Sequence, residues 1–150
     1  MTPGRVRIAF ESVSVSFPTQ HGNGRIKVVD EVSYEIRDRE FVSIIGPSGC
    51  GKTTMMNMVA GFMQPTSGAV TLDGKPIAGP GPDRGVIFQE YGVFPWLTVK
   101  ENIAFGLNLR ANRVSAAERD EICERYMRLM GLADFADAWP RMLSGGMRQR

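Results

Sequence analysis

The N-terminal third of the chain alternates between apolar and polar positions. Within 6–17 the alternation changes phase once, after Glu11 and Ser12, and this change predicts a strand with a bulge or bend. A glycine-rich segment, 20–25, precedes a second alternation over 32–36. We therefore predict two antiparallel strands joined by a loop.

Three further segments have the composition of strands. Residues 41–45, FVSII, are apolar on both faces and run into glycines, which predicts a core strand covered on both sides. The segment 84–89, RGVIFQ, is predicted as another apolar strand. Residues 69–77, AVTLDGKPI, predict a hairpin that turns at Asp73-Gly74.

Helical signals dominate the second half of the chain. Residues 52–62 predict a helix that ends near Gly61, with its methionine cluster as core filler. Thr98 and Ser115 each begin a T/S-x-x-E capping box, so each is predicted to start a helix. In the later helix, helical spacing predicts one apolar face. It consists of Ile122, Tyr126, Leu129 and Met130.

Composition narrows the class of protein. With 150 residues, 43% of them hydrophobic and 23% charged, the chain suits one soluble domain. A formal charge of +2 gives no basic stripe, so no nucleic-acid partner is expected. No apolar run approaches the ~18 residues of a membrane span. Cys50 and Cys123 lack metal-ligand spacing, which favours free thiols in a reducing compartment such as the cytosol.

The segment GPSGCGKT, 46–53, matches G-x-x-x-x-G-K-[ST] completely. Its glycines let backbone N–H groups curl around phosphate oxygens, and the following helix adds its positive end. Lys52 would reach the β- and γ-phosphates and the Thr53 hydroxyl would bind Mg²⁺. The alternative is a plain strand-to-helix turn, but the apolar segment before and the helix after favour a nucleotide. The candidate phosphate-binding residues are Gly46, Pro47, Ser48, Gly49, Cys50, Gly51, Lys52, Thr53 and Thr54.

Cys50 lies inside this phosphate loop. A helix N-terminus lowers thiol pKa values, so modification of Cys50 that blocks ATP is one hypothesis. The simpler interpretation is a tolerated small residue.

A phosphate loop alone leaves kinases, GTPases and motor ATPases open. Phe17 ends a strand before the loop, Gln89 ends RGVIFQ, and LSGGMRQR, 143–150, opens a helix. In this order the motifs resemble the nucleotide-binding domain of ABC-type ATPases. The resemblance implies an α/β P-loop NTPase fold, with an antiparallel β region and a helical subdomain, truncated before the Walker B strand. Residues of about 1–90 would form the β-rich and phosphate-loop core and about 91–150 the helical subdomain.

The resemblance also implies a role for each motif. Phe17 would stack on adenine, its alternative being a core phenylalanine, and Gln89 would approach Mg²⁺ and the attacking water. Ser144, Gly145 and Gly146 would bind the γ-phosphate of ATP held by a second ATPase subunit in a head-to-tail dimer. The alternative for these three is a serine N-cap followed by flexible glycines.

The stretch FPWLTVKENIAFGL resembles import-type ABC ATPases, and GPGPDRGVIFQ followed by PWLTV is most similar to nitrate, sulfonate and taurine importers. This similarity implies a peripheral subunit on the cytoplasmic face of the membrane. It would bind a membrane permease directly and a periplasmic solute-binding protein indirectly. Tyr91 and the residues of 93–97 have few charges among them, so this loop could be a socket for a permease helix. About half of these residues could instead pack into the domain's own helical part.

In the family, an apolar strand ending in Asp, a catalytic Glu and a switch His follow the signature helix. None is found in this sequence, and His21 is expected to be a solvated loop residue. We therefore expect the 150-residue chain to hydrolyse ATP poorly or not at all. Two rival functions stay open, an ABC ATPase without a transport role and a non-catalytic nucleotide-binding or dimerisation module.

Overall fold

The computed structural model describes residues 4–19, 24–90, 92–110 and 112–150, and the chain divides into two compact units, Met1–Val86 and Ile87–Arg150. Each unit is described in turn. The predictions made for His21, Tyr91 and most of the 20–25 loop lie outside the described residues.

The first unit is built on a four-stranded antiparallel sheet. Its strands are β1 (Val6–Pro18), β2 (Arg25–Arg37), β3 (Ser67–Leu72) and β4 (Lys75–Pro76), in the spatial order β2-β1-β3-β4. The long strand β1 pairs with β2 on one side and with β3 on the other. Both the predicted antiparallel pair and the predicted hairpin at Asp73-Gly74 are confirmed.

The predicted bulge in β1 is also confirmed. The register with β2 shifts between Phe10 and Val13, and Ser12 adopts a φ of 47°. Side-chain hydroxyls accept from two backbone N–H groups in this region. Ser12 N donates to Ser33 Oγ at 2.9 Å and Glu31 N donates to Ser14 Oγ at 2.9 Å. The bulge changes the phase of the strand, so Phe10 and Val13 both reach the core despite their odd spacing.

The helix α1 (Lys52–Ala60) packs its buried side on this sheet and ends at Gly61, as predicted. The methionine cluster is only partly core filler, because Met58 is 1% exposed whereas Met56 is 54% exposed. One apolar cluster joins the helix to the sheet. Its buried members are Phe10, Val13, Val15, Val29, Met58, Val70, Leu72 and Ile77.

Met58 and Met56 offer a matched test of this core. Met58→Ala should lower the free energy of unfolding by about 2–5 kcal/mol, because it removes buried methylenes and leaves a cavity. Met56→Ala should stay within about 0.5 kcal/mol of the parent, because its side chain already lies in solvent. Urea denaturation followed by circular dichroism measures both. Equal losses from the two variants would contradict the packing of α1 on the sheet.

Two predicted strands do not form. Residues 41–45 have no strand geometry, with Phe41 96% and Ile45 90% exposed, and 84–88 is likewise irregular and largely exposed. The apolar composition of a segment indicates only that its side chains suit burial. A strand also needs a neighbour that supplies the hydrogen-bond ladder, and within the described residues no strand pairs with either segment.

The second unit is helical, with α2 (Val99–Asn108), α3 (Ala116–Leu129), two 3-10 turns (Ala133–Phe135 and Pro140–Met142) and α4 (Gly145–Gln149). The capping box at Thr98 is confirmed, since Thr98 Oγ1 accepts from Glu101 N and the Glu101 carboxylate accepts from Thr98 N at 2.7 Å. The hydrogen bonds from Thr98 lower the pKa of Glu101. Ser115 Oγ caps α3 through Glu118 N at 3.3 Å, which confirms the other predicted helix start.

The predicted apolar stripe of α3 is not the face that the helix buries. The helix buries Cys123 and Met127, whereas Tyr126, Leu129 and Met130 are exposed and Ile122 is half-buried. The buried stripe of Cys123 and Met127 lies one position along the helix from the stripe of Ile122 and Tyr126. Periodicity alone does not show which of the two stripes packs against α2. Burial raises the pKa of the Cys123 thiol, which stays neutral within the apolar cluster. None of the helices in the described ranges is long and apolar enough to cross a membrane.

Candidate functional site

The phosphate loop, 46–51, connects the irregular segment 41–45 to α1, and two of its glycines adopt left-handed backbone. Gly49 has φ 81° and Gly51 has φ 93°. A Cβ on Gly51 would also lie 3.1 Å from Val28 O and 3.2 Å from Val28 Cγ1. Gly51 is therefore required both for its conformation and for the close seat of the loop on β2.

The loop folds back on itself. A Cβ on Gly46 would lie 2.6 Å from the Sγ of Cys50, so the first and fifth residues of the loop are almost in contact. The backbone N–H of Cys50 also points towards Pro47 O, at an N···O distance of 3.4 Å. The result is a compact loop in which a side chain at Gly46 would collide with the Sγ of Cys50.

The N-terminus of α1 opens directly from this loop. Gly51 is the N-cap and supplies no side-chain cap, and Met55 N donates to Gly51 O at 2.9 Å as the first helical hydrogen bond. The N–H groups of Lys52, Thr53 and Thr54 precede that bond, so they have no partner within the helix. Together with the helix dipole they form a positive end suited to an anion.

The ammonium group of Lys52 lies across the mouth of the loop. Its Nζ donates to Gly46 O at 2.8 Å and to Pro47 O at 2.7 Å, and lies 3.6 Å from Cys50 Sγ. These partners are uncharged groups, and no carboxylate of the described residues forms an ion pair with Lys52. Its positive charge is therefore available to an anion that enters the loop.

These features fit a polyphosphate. The helix N-terminus without a side-chain cap and the ammonium group of Lys52 both offer positive potential beside the curled backbone of the loop. No cluster of three His, Cys, Asp or Glu side chains that could hold a metal occurs in the part of the chain that the structure describes. The hydroxyl of Thr53 is exposed beside Lys52 and is a group that could ligate Mg²⁺.

Phe17 belongs to the same unit as the phosphate loop. It pairs with Ile26 of β2, and its side chain is 42% exposed, so it is not a core residue. The seat of Gly51 at Val28 lies two positions further along β2. One strand thus supports both the candidate adenine-stacking ring and the end of the phosphate loop.

The other candidate residues belong to the second unit. Gln89 is exposed and follows the irregular segment 84–88. Ser144 is the N-cap of α4, where its Oγ accepts from Met147 N at 3.3 Å, as the serine-cap alternative predicts. A Cβ on Gly146 would meet no heavy atom within 4 Å. The structure therefore gathers residues 46–54 into one site and places Gln89 and 144–146 in the other unit.

An aromatic group is exposed on the second unit before α2. Phe94 packs against Phe105 with ring centroids 4.3 Å apart, and Trp96 lies 5.5 Å from Phe94. Trp96 is 66% exposed, whereas Val93, Phe94 and Leu97 are half-buried. Part of this loop therefore packs into its own unit, as the second interpretation predicts, whereas the role of the exposed part as a permease socket stays a prediction. The exposed Tyr126 and Met130 of α3 line the same cavity as Val93 and Phe94.

Asn102 was missed by the sequence analysis, although its side chain organises this loop. Its carboxamide contacts the backbone of three residues in 94–98, through Phe94 N and O, Leu97 O and Thr98 O. A signal existed, because asparagine is unfavourable inside helices unless its side chain bonds locally. It stands at the end of the first turn of α2, where it can reach back to the cap.

Comparison with known proteins places these features in one family. Residues 29–150 match the family described as ABC transporter. The chain is 42% identical over 141 residues to the nitrate import ATP-binding protein NrtD of Synechococcus elongatus, which covers 94% of this chain and 51% of that protein. It is 47% identical over 143 residues to the bicarbonate transport ATP-binding protein CmpC of the same species, over 95% of this chain and 21% of that protein. The chain thus spans about half the length, or less, of the curated relatives it matches.

A solved structure shows the same fold. The dimeric post-hydrolysis state of the ATP-binding cassette MJ0796, bound to ADP and Pi, aligns with a TM-score of 0.78 at 30% identity, over 94% of this chain and 65% of that chain. The predicted fold class, a P-loop NTPase of the ABC ATPase type, is confirmed by this similarity. With a family match that covers most of its residues, the chain belongs to the ABC transporter family.

Proposed function

We propose that the protein is the ATP-binding subunit of an ABC importer, which couples ATP binding and hydrolysis to the uptake of a small anion. The observation that carries this proposal is the phosphate loop, with Lys52 held across its mouth and the N-terminus of α1 open behind it. The relatives NrtD and CmpC are named for nitrate and bicarbonate, and both solutes are small anions. The chemistry common to these names supports an anion of the nitrate, sulfonate or taurine type.

The loop residues would bind ATP through its phosphates. Lys52 would exchange its carbonyl partners for β- and γ-phosphate oxygens, while the N–H groups of 52–54 hold the same charge from behind. Thr53 would hold Mg²⁺, and the family resemblance assigns Gln89 to the same ion; the ion would supply positive charge that neutralises the phosphates. The exposed ring of Phe17 would stack on adenine, a contact worth about 1–3 kcal/mol per base in nucleic-acid systems.

A second copy of the subunit would complete each site. Ser144, Gly145 and Gly146 would bind the γ-phosphate of ATP held by the partner's phosphate loop, in a head-to-tail dimer. The dimeric, nucleotide-bound MJ0796 structure supports this arrangement. Residues of about 1–90 would then act as the nucleotide-binding core and about 91–150 as the helical subdomain that carries the signature motif.

The permease would bind at the aromatic group of Phe94, Trp96 and Phe105. An exposed tryptophan beside two phenylalanines that pack at a tilt suits the apolar side of a helix from a membrane partner. The cavity behind this group, about 310 Å³, is mainly apolar in its lining and could receive a side chain of that helix. The subunit would thus lie on the cytoplasmic face of the membrane and respond to a periplasmic solute-binding protein only through the permease.

Trp96→Ala tests this coupling. We expect the variant to lose most ATP-dependent nitrate uptake when it is assembled with the permease in vesicles, because the exposed ring contributes to the interface and not to the core. Its ATP affinity should stay within about 2-fold of the parent. Truncation of a side chain at the centre of an interface lowers the affinity for that partner, by at least about 2 kcal/mol, and not the affinity for ATP.

Trp139→Ala is the control, because Trp139 lies in the same unit but outside the aromatic group. It should leave uptake intact. Loss of both ATP binding and uptake in Trp96→Ala would identify Trp96 as a structural residue. A parent protein that binds the permease and hydrolyses ATP, yet takes up neither nitrate nor bicarbonate, would contradict the proposed solute class.

A further inference from the structure

The carboxamide of Asn102, on α2, bonds at both ends to the turn formed by 94–98. Its Oδ1 accepts from Phe94 N at 2.8 Å. Its Nδ2 lies 3.1 Å from Phe94 O, 3.0 Å from Leu97 O and 3.0 Å from Thr98 O. One side chain therefore contacts four backbone groups of the segment that precedes the helix.

An asparagine side chain is the group that can make this set of contacts. Its amide has two N–H donors and one carbonyl, so with three carbonyl partners one N–H must be shared. Phe94 exchanges both its N–H and its C=O with the same carboxamide, as it would with a neighbouring strand. An aspartate would keep the acceptor but lose both donors, and a leucine of similar size would lose all of these bonds.

The turn held in this way carries the aromatic group. Leu97 N donates to Phe94 O at 3.2 Å, which closes the turn, and Phe94 rests on Phe105. Trp96 lies between these anchored residues and is mostly surrounded by solvent. The ring contact of Trp96 is with Phe94, whose backbone Asn102 holds, so the position of Trp96 depends on that anchored residue.

We propose that Asn102 is a positioning residue for coupling, which fixes the 94–98 turn and thereby presents Phe94 and Trp96 to the permease in one orientation. The proposal rests on the proposed function, since it needs a permease that binds this aromatic group. It adds a second requirement to the exposure of the aromatic group: the turn that carries the group must already be ordered before the permease binds.

The local part of the proposal is tested by amide hydrogen exchange. In Asn102→Leu the Phe94 N–H should exchange at least about 10-fold faster, because its acceptor is lost, while amides in the body of α2, such as that of Leu107, keep their protection. Asn102→Asp keeps an acceptor for Phe94 N but loses both N–H donors. The Phe94 amide should therefore stay protected, whereas the turn should become less ordered, which is measured by the quenching of Trp96 fluorescence with acrylamide. Asn108→Leu is the control, because it removes an asparagine of the same helix whose carboxamide accepts from Arg119 and not from the 94–98 turn. Unchanged Phe94 exchange in Asn102→Leu would overturn the proposal.

The functional part is tested with the permease in detergent or vesicles. Asn102→Leu and Asn102→Asp should each weaken permease binding at least about 10-fold and leave ATP affinity within about 2-fold, whereas Asn108→Leu should change neither. A turn that loosens without any loss of permease binding would overturn the positioning role. If the parent protein binds no permease, the proposed function fails and the coupling role of Asn102 fails with it. The hydrogen-exchange experiment shows independently whether Asn102 holds the 94–98 turn, so the two failures can be told apart.

Discussion

Lys52→Ala should abolish ATP binding by the protein. The substitution removes the ammonium group, which now donates to Gly46 O and Pro47 O and in the proposed complex would form two charge-assisted hydrogen bonds to phosphate, each worth about 1.5–3 kcal/mol. The expected loss of affinity is therefore at least about 100-fold. Isothermal titration with ATP, in the presence of Mg²⁺, measures it directly.

Lys75→Ala is the matched control, because Lys75 is an exposed lysine in the same unit, on β4. It changes the net charge by the same amount and should leave ATP affinity unchanged. Thermal melting of both variants checks the fold, because Lys52→Ala also leaves the carbonyls of Gly46 and Pro47 without this partner. ATP affinity that is equal in Lys52→Ala, Lys75→Ala and the parent would refute the assignment of the phosphate site to this loop.

The features that the sequence predicted correctly are local in origin. A helix start depends on the residues of one turn, so Thr98 and Ser115 could be identified from four residues each. The bulge at Ser12 was visible as a phase change over neighbouring positions of one strand. The curl of the phosphate loop has the same local origin, because Gly49 and Gly51 adopt the left-handed backbone that glycine allows. The binding of phosphate by this loop stays a prediction.

The errors concern partners that are distant in sequence. Whether 41–45 forms a strand depends on a ladder that another segment must supply, and its composition describes only its affinity for a core. Which stripe of α3 is buried depends on where α2 lies, and Cys123 and Tyr126 are close enough on the helix to belong to either stripe. The seat of Gly51 on Val28 was likewise beyond prediction, because nothing in the loop itself specifies the strand beneath it.

The two segments proposed to bind phosphate belong to different units. The loop at 46–53 has a curled backbone, a helix N-terminus and the ammonium group of Lys52 in one unit. The 144–146 segment has a serine cap and an open glycine in the other unit. In the proposed head-to-tail dimer, 144–146 would add to a site whose phosphate loop belongs to a second copy.

Gly146→Asp should prevent ATP-dependent dimerisation while leaving ATP binding intact. A Cβ at Gly146 meets no heavy atom within 4 Å, and an aspartate in the first turn of α4 is favoured by the helix dipole, so the unit itself should tolerate the change. In the proposed dimer, however, the new carboxylate would face the γ-phosphate of the partner's ATP, and two like charges in contact repel strongly where water is excluded.

The measurement is the molecular mass in solution, by light scattering, with and without a non-hydrolysable ATP analogue. Gly106→Asp is the control, since Gly106 lies on α2 of the same unit and is equally open; that variant should dimerise like the parent. Lys52→Ala should lose both nucleotide binding and dimerisation, whereas Gly146→Asp should lose dimerisation alone. Normal dimerisation of Gly146→Asp would mean that 144–146 serves only as the cap of α4, because a site that contacts phosphate cannot accept a carboxylate in its place.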